Sequence, residues 1–185
     1  MIYLLRHGLD DENYVGGHSE NNLIEEGIKQ VEEITTHIEN KNLDIKRMYS
    51  SDIKRAVTTA SIINKKLKVP IYYTPHLREL DKGDLTGVLV EKAKLEYPDY
   101  FKDVNTNTRY PNGESMKDLY QRIKELLPTL KNINNSLIVT HRGVINMIYY
   151  LLNNIELDME KTRFDVTHAS LHELDLENKT IKKIR

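Results

Sequence analysis

Apolar residues recur along the chain in two rhythms. Short, nearly continuous runs stop abruptly, and longer stretches repeat every three or four positions. Residues 1–5, Met-Ile-Tyr-Leu-Leu, halt at Arg6-His7-Gly8. Such a run predicts a buried strand ending in a sharp turn. Apolar positions at Ile24, Ile28, Val31, Ile34 and Ile38 predict a helix over residues 23–38. Residues 47–50 read as a second strand. Ser51 is placed to cap a helix with the stripe Ile53, Ala56, Ala60, Ile63 and Leu67. Residues 69–74 predict a third strand, and residues 88–97 a helix stopped by Pro98. Ser115 and Asp118 have capping-box spacing ahead of Met116, Leu119, Ile123, Leu126 and Leu130. Residues 136–139 form a fourth strand, halting at Thr140-His141-Arg142-Gly143. Residues 144–152 follow as a helix, and residues 170–176 and 180–184 as a closing hairpin around Glu177-Asn178.

Strands alternating with helices predict an α/β fold, a three-layer sandwich whose largely parallel sheet carries helices on both faces. A single domain over residues 1–185 is expected, because no repeat or linker interrupts the pattern. The one loop-like stretch covers residues 103–113.

Composition narrows the function. Twenty-seven Lys and Arg against 28 Asp and Glu leave a net charge of −1. No global field recruits nucleic acid or an anionic membrane, so an anion site has to be local. The absence of Cys excludes disulfides, thiol catalysis and thiolate metal sites, and fits a cytoplasmic protein. No apolar segment approaches the roughly 20 residues of a membrane span. The first apolar run is too short for a signal peptide.

Ligands of open α/β sheets bind at the carboxyl ends of the strands. Four strand ends here carry Arg6-His7, Arg55, Glu79 and His141. Guanidinium groups suit phosphate oxygens, an imidazole can serve as nucleophile, and a glutamic acid can donate a proton. The set reads as a phosphoryl-transfer site with no cofactor and no obligatory metal. Asp81 competes with Glu79 as the proton donor. Asp10-Asp11-Glu12 reads as a solvated turn rather than a metal site. His18 and His168 are the weaker candidates for the crevice.

These motifs, in this order, resemble the histidine phosphatase superfamily (phosphoglycerate mutase-like), and within it the small phosphatase branch. Leu5-Arg6-His7-Gly8 is similar to the strand-end motif that names the family. Asn13 stands where the family's Asn is expected, although Leu9 and Asp10 replace the usual Glu and Thr. Ser50-Ser51-Asp52 with Arg55, Leu77-Arg78-Glu79 with Gly83, Pro111-Asn112-Gly113-Glu114-Ser115 with Arg122, and Val139-Thr140-His141 resemble its later motifs. The resemblance implies a phosphomonoester hydrolase acting on a small phosphorylated metabolite. His7 would carry a phosphohistidine, and Arg6, Asn13, Arg55 and His141 would hold the phosphoryl oxygens. Glu79 would be the general acid and base. A phosphoglycerate mutase-type phosphotransferase is the alternative, less favoured because the chain is short. A non-catalytic binder of phosphorylated ligands is the other, less favoured because every chemical residue is present. Arg142 departs from the family, which generally has Gly there.

Overall fold

The computed structural model describes residues 1–102, 104–160 and 162–185. Its centre is a six-stranded mixed sheet in the order β3-β2-β4-β1-β5-β6. The strands are β1 (Ile2–Arg6), β2 (Arg47–Ser51), β3 (Ile71–Thr74), β4 (Ser136–Thr140), β5 (Leu171–Asp175) and β6 (Thr180–Lys183). The first four run parallel, and β5 and β6 close the sheet antiparallel beyond β1. The expected sheet is therefore present, with the predicted hairpin as its antiparallel edge.

Helices cover both faces because each central strand is apolar on both sides. Ile2 and Leu4 of β1 and Ile138 of β4 pack toward α5 (Met116–Leu126) and α6 (Arg142–Asn153). Tyr3, Leu5, Leu137 and Val139 face α1 (Glu25–Asn40) and α2 (Lys54–Leu67). Two short helices, α3 (Val90–Glu96) and α4 (Asp99–Lys102), lie in the excursion between β3 and β4. Leu85 and Ala93 of this excursion form a small core with Val15, which comes from the segment between β1 and α1.

Three local expectations are corrected. Ile24 and Ile28 are exposed, and α1 instead buries Gly27, Val31, Ile34, Thr35 and Ile38. Gly27 rotates the contact: a Cβ there would lie 2.0 Å from the carbonyl oxygen of Leu9. Ser51 ends β2 and is not the cap of α2, whose N-cap is Ile53. The capping box of α5 is present, but the α-helix ends at Leu126 and continues as a 3-10 turn over Leu127–Asn132. Pro128 has no N–H to carry the α ladder on. In the loop-like stretch, Asp103 lies outside the described residues, and residues 104–113 hold turns without helix or strand.

Register sets the site. Arg6 is level with Thr140, and Ser50 with Val139, so β1, β4 and β2 end together. His7 and His141 each stand one residue past those ends. The His7 N–H donates to the carbonyl of Thr140 at 3.0 Å.

Candidate active site

His7 and His141 are 4% and 0% exposed, with ring centroids 5.1 Å apart. Nδ1–H of His7 donates to the carbonyl of Gly8 at 2.7 Å. That bond fixes the tautomer and leaves Nε2 with a free lone pair, which accepts from Nε of Arg55 at 3.1 Å. Burial, and then the guanidinium groups of Arg55 and Arg6, hold the His7 imidazole well below its usual range. His141 is held down in the same direction, first by burial and then by Arg55. Both rings are neutral at ordinary pH. Neutrality is the form a nitrogen nucleophile requires.

Two buried guanidinium groups flank the rings. Arg55, 2% exposed, donates through its Nη atoms to the carbonyl of Gly17 at 2.7 Å and to Oγ of Ser19 at 3.3 Å. Its Nε also lies 3.4 Å from a carboxylate oxygen of Asp10. Arg6 donates to the carbonyl of Val166 at 2.9 Å and to Nε2 of His168. Burial, then repulsion from Arg142, brings the Arg6 guanidinium down to about 10, and burial followed by Arg6 takes the His168 imidazole to about 3. Nε of Arg6 and Nδ1 of His141 are buried with no hydrogen-bond partner among the described residues.

Glu79 reaches the same cavity, which has a volume of about 440 Å³. One carboxylate oxygen accepts from the N–H of Leu80 at 2.9 Å, the other from the N–H of Gly143 at 3.1 Å. Gly143 permits this approach, since a Cβ there would sit 2.1 Å from the Glu79 carboxylate. The loop behind Glu79 is pinned by Arg122, which donates to the carbonyls of His76, Arg78 and Glu79 at 3.0–3.2 Å. Arg122 also makes a two-pronged pair with Glu114 at 2.9 and 3.0 Å. His18 adds a bond from Nε2 to the Glu79 carbonyl at 2.9 Å.

The structure thus brings Arg6, His7, Arg55, Glu79 and His141 to one place. It does not bring Asn13, which is exposed and donates to Asp11 through both its N–H and its Nδ2. Asp81 caps the turn at Gly83 and faces His18 rather than the cavity. Asp10 is not the solvated residue the sequence suggests. It is 9% exposed and held by Arg55, and burial raises its carboxyl despite that cation. Sequence reasoning also missed Ser51, whose hydroxyl meets Nε2 of His141 at 2.8 Å. No signal short of strand register identifies that contact.

The side chains of His7, Asp10 and His168 offer atoms close enough together to hold a metal ion. Each of those atoms already lies against a guanidinium: Arg55 covers His7 and Asp10, and Arg6 covers His168. A cation entering there would meet two buried positive charges, so the pocket suits an anion. No helix among the described residues is long and apolar enough to cross a membrane.

Comparison with known proteins agrees with this geometry. Residues 2–185 match the histidine phosphatase superfamily, branch 1. The chain is 29% identical over 163 residues to human 6-phosphofructo-2-kinase/fructose-2,6-bisphosphatase 3, covering 84% of this chain and 30% of that protein. It therefore spans under a third of that longer relative. It is 31% identical over 159 residues to phosphoglycerate mutase-like protein 4 of Arabidopsis thaliana, covering 80% of this chain and 69% of the other. The fold matches alpha-ribazole phosphatase from Shigella flexneri with a TM-score of 0.81 at 23% identity, covering 98% and 93% of the two chains. A mycobacterial glucosyl-3-phosphoglycerate phosphatase complexed with VO3 matches with a TM-score of 0.80 at 20% identity, covering 98% and 96%. The sheet, the paired histidines at its strand ends and the match along the whole chain agree: this protein belongs to the histidine phosphatase superfamily.

Proposed function

We propose that the protein hydrolyses phosphate monoesters of small metabolites through a phosphohistidine on His7. The observation that carries this reading is the geometry of His7, whose Nδ1–H is held by the Gly8 carbonyl so that Nε2 is left as an acceptor beside Arg55, Arg6 and His141. In the first step Nε2 forms a bond to phosphorus and the ester P–O bond breaks. Glu79, in its acid form, gives its proton to the departing oxygen. In the second step water attacks phosphorus and hands a proton to the Glu79 carboxylate. The N–P bond breaks, and His7 and phosphate are released.

Arg6 and Arg55 hold the phosphoryl oxygens and offset the charge developed in transfer. The unpartnered Nε of Arg6 and Nδ1 of His141 supply two further contacts. With the Ser51 hydroxyl donating to Nε2 of His141, its Nδ1–H is left to donate to an oxyanion. Buried polar groups without partners are costly, and a bound phosphoryl group removes that cost. Asn13 takes no part in this assignment. No cofactor is required.

The test is a rapid quench with a radiolabelled phosphate ester in the presence of a chelator. The expected result is an alkali-stable, acid-labile label on His7 that disappears with multiple turnovers. Label transferred to an added phosphoglycerate instead of water would favour the mutase reading. Loss of activity on chelation, restored by a divalent ion, would overturn the metal-free mechanism.

A further inference from the structure

The face of α6 that borders the cavity carries more chemistry than hydrolysis needs. Arg142, Asn146 and Tyr150 lie four residues apart, hence on one side of the helix, and all three line the cavity beside Glu79. Arg142 sits in the first turn of α6, where the backbone N–H groups already make the potential positive. Among the described residues no carboxylate pairs with it and it donates no hydrogen bond. Of the acidic groups at the cavity wall, Glu160 pairs with Arg163 at 2.8 Å, and Asp10 with Arg55. Asn146 is an independent observation. It is 6% exposed, yet its side-chain oxygen has no hydrogen-bond partner among the described residues. Tyr150, one turn deeper, already donates its hydroxyl to Asp158 at 2.6 Å and closes the row.

We propose that Arg142 and Asn146 form a second subsite that reads the leaving group, selecting polyhydroxylated phosphate esters that carry another anion. The inference rests on the phosphatase reading above. Arg142 takes the remote phosphate or carboxylate, because a half-buried guanidinium at a helix N-terminus, with no carboxylate partner among the described residues, is best relieved by negative charge. Asn146 takes a hydroxyl. An alcohol both donates and accepts, so it satisfies the amide in either orientation. A simple alkyl or aryl phosphate leaves both groups unpaired.

The experiment compares kcat/KM for phosphate release from fructose 1,6-bisphosphate, 6-phosphogluconate, fructose 6-phosphate and hexyl phosphate. Wild-type protein and the Arg142→Gln and Asn146→Leu variants are used. The readouts are ratios, which general damage to the fold does not move. Wild type prefers at least one doubly anionic ester over fructose 6-phosphate by roughly ten- to a hundredfold, the scale of one charged hydrogen bond. Which of the two it prefers separates phosphate from carboxylate as the remote anion. Arg142→Gln removes that preference, and Asn146→Leu lowers the ratio of fructose 6-phosphate to hexyl phosphate by about tenfold. Ratios that stay within twofold of wild type in both variants overturn the subsite. If wild type releases phosphate from none of these, the hydrolase reading fails on its own. The same ligands titrated calorimetrically into the wild-type protein and its variants then decide the subsite by the same ratios.

Discussion

Nε of Arg55 lies 3.1 Å from Nε2 of His7, so the proposed nucleophile rests with its lone pair capped by a guanidinium. A phosphoryl group entering the pocket takes over that N–H and frees the nitrogen. His7→Ala is therefore expected to lose several orders of magnitude in turnover while keeping its melting temperature. Retention of a tenth of wild-type kcat would end the covalent mechanism.

Arg55 also neutralises Asp10 in a nearly dry setting, with side chains 3% and 12% exposed. Arg55→Met strands that carboxylate and is expected to cost about 3–5 kcal/mol of stability. It should also slow turnover by about a hundredfold or more. Adding Asp10→Asn separates the two effects. Urea midpoints of the double variant recover while its activity does not. Recovery of both would reduce Arg55 to a structural partner.

Glu79→Gln is expected to slow alkyl phosphates far more than nitrophenyl phosphate, because a good leaving group departs without a proton. Gly143→Ala should imitate it, since the new Cβ overlaps the Glu79 carboxylate. Equal losses for both esters in either variant would remove Glu79 from the acid role.

Stability should fall on acidification for a specific reason. His172 is fully buried, hydrogen-bonded to Tyr149 and Ser170, and burial followed by Lys183 brings its imidazole down to about 4. The unfolded chain takes up a proton near pH 6.5 that the folded chain refuses. The stabilisation is complete above that pH and drains away as the pH drops toward 4, about 3 kcal/mol from this residue. His168, His7 and His141 act in the same direction. Urea midpoints between pH 7 and 4.5 should show the slope, and His172→Gln should flatten it. An unchanged slope in that variant would assign it to the other histidines.

What the sequence made legible followed from strand ends. Arg6, His7 and His141 announce themselves because an apolar run stops on a charged or titratable residue, and parallel strands align those stops. Arg55 and Glu79 are one step further on and still readable. Contacts made across the fold are not. Asp10 looks like a turn acid until α2 delivers Arg55 to it from 45 positions away. Asn13 matches a motif by position, yet its own side chain closes on Asp11 and turns outward. The α1 stripe is misjudged because a glycine, Gly27, makes the closest approach, and hydropathy gives a missing side chain no weight.

The clamp of Arg122 on the carbonyls of His76, Arg78 and Glu79 bears on timing. A loop fastened at this many points has little conformational entropy left to lose when substrate arrives. For the proposed proton donor, the geometry is paid for during folding rather than in each catalytic cycle. Glu79 need not wait for a closing motion, and little reorganisation energy remains in that part of the reaction. Amide hydrogens of Leu80 and Gly143, both bound to the Glu79 carboxylate, should accordingly exchange at the pace of global opening.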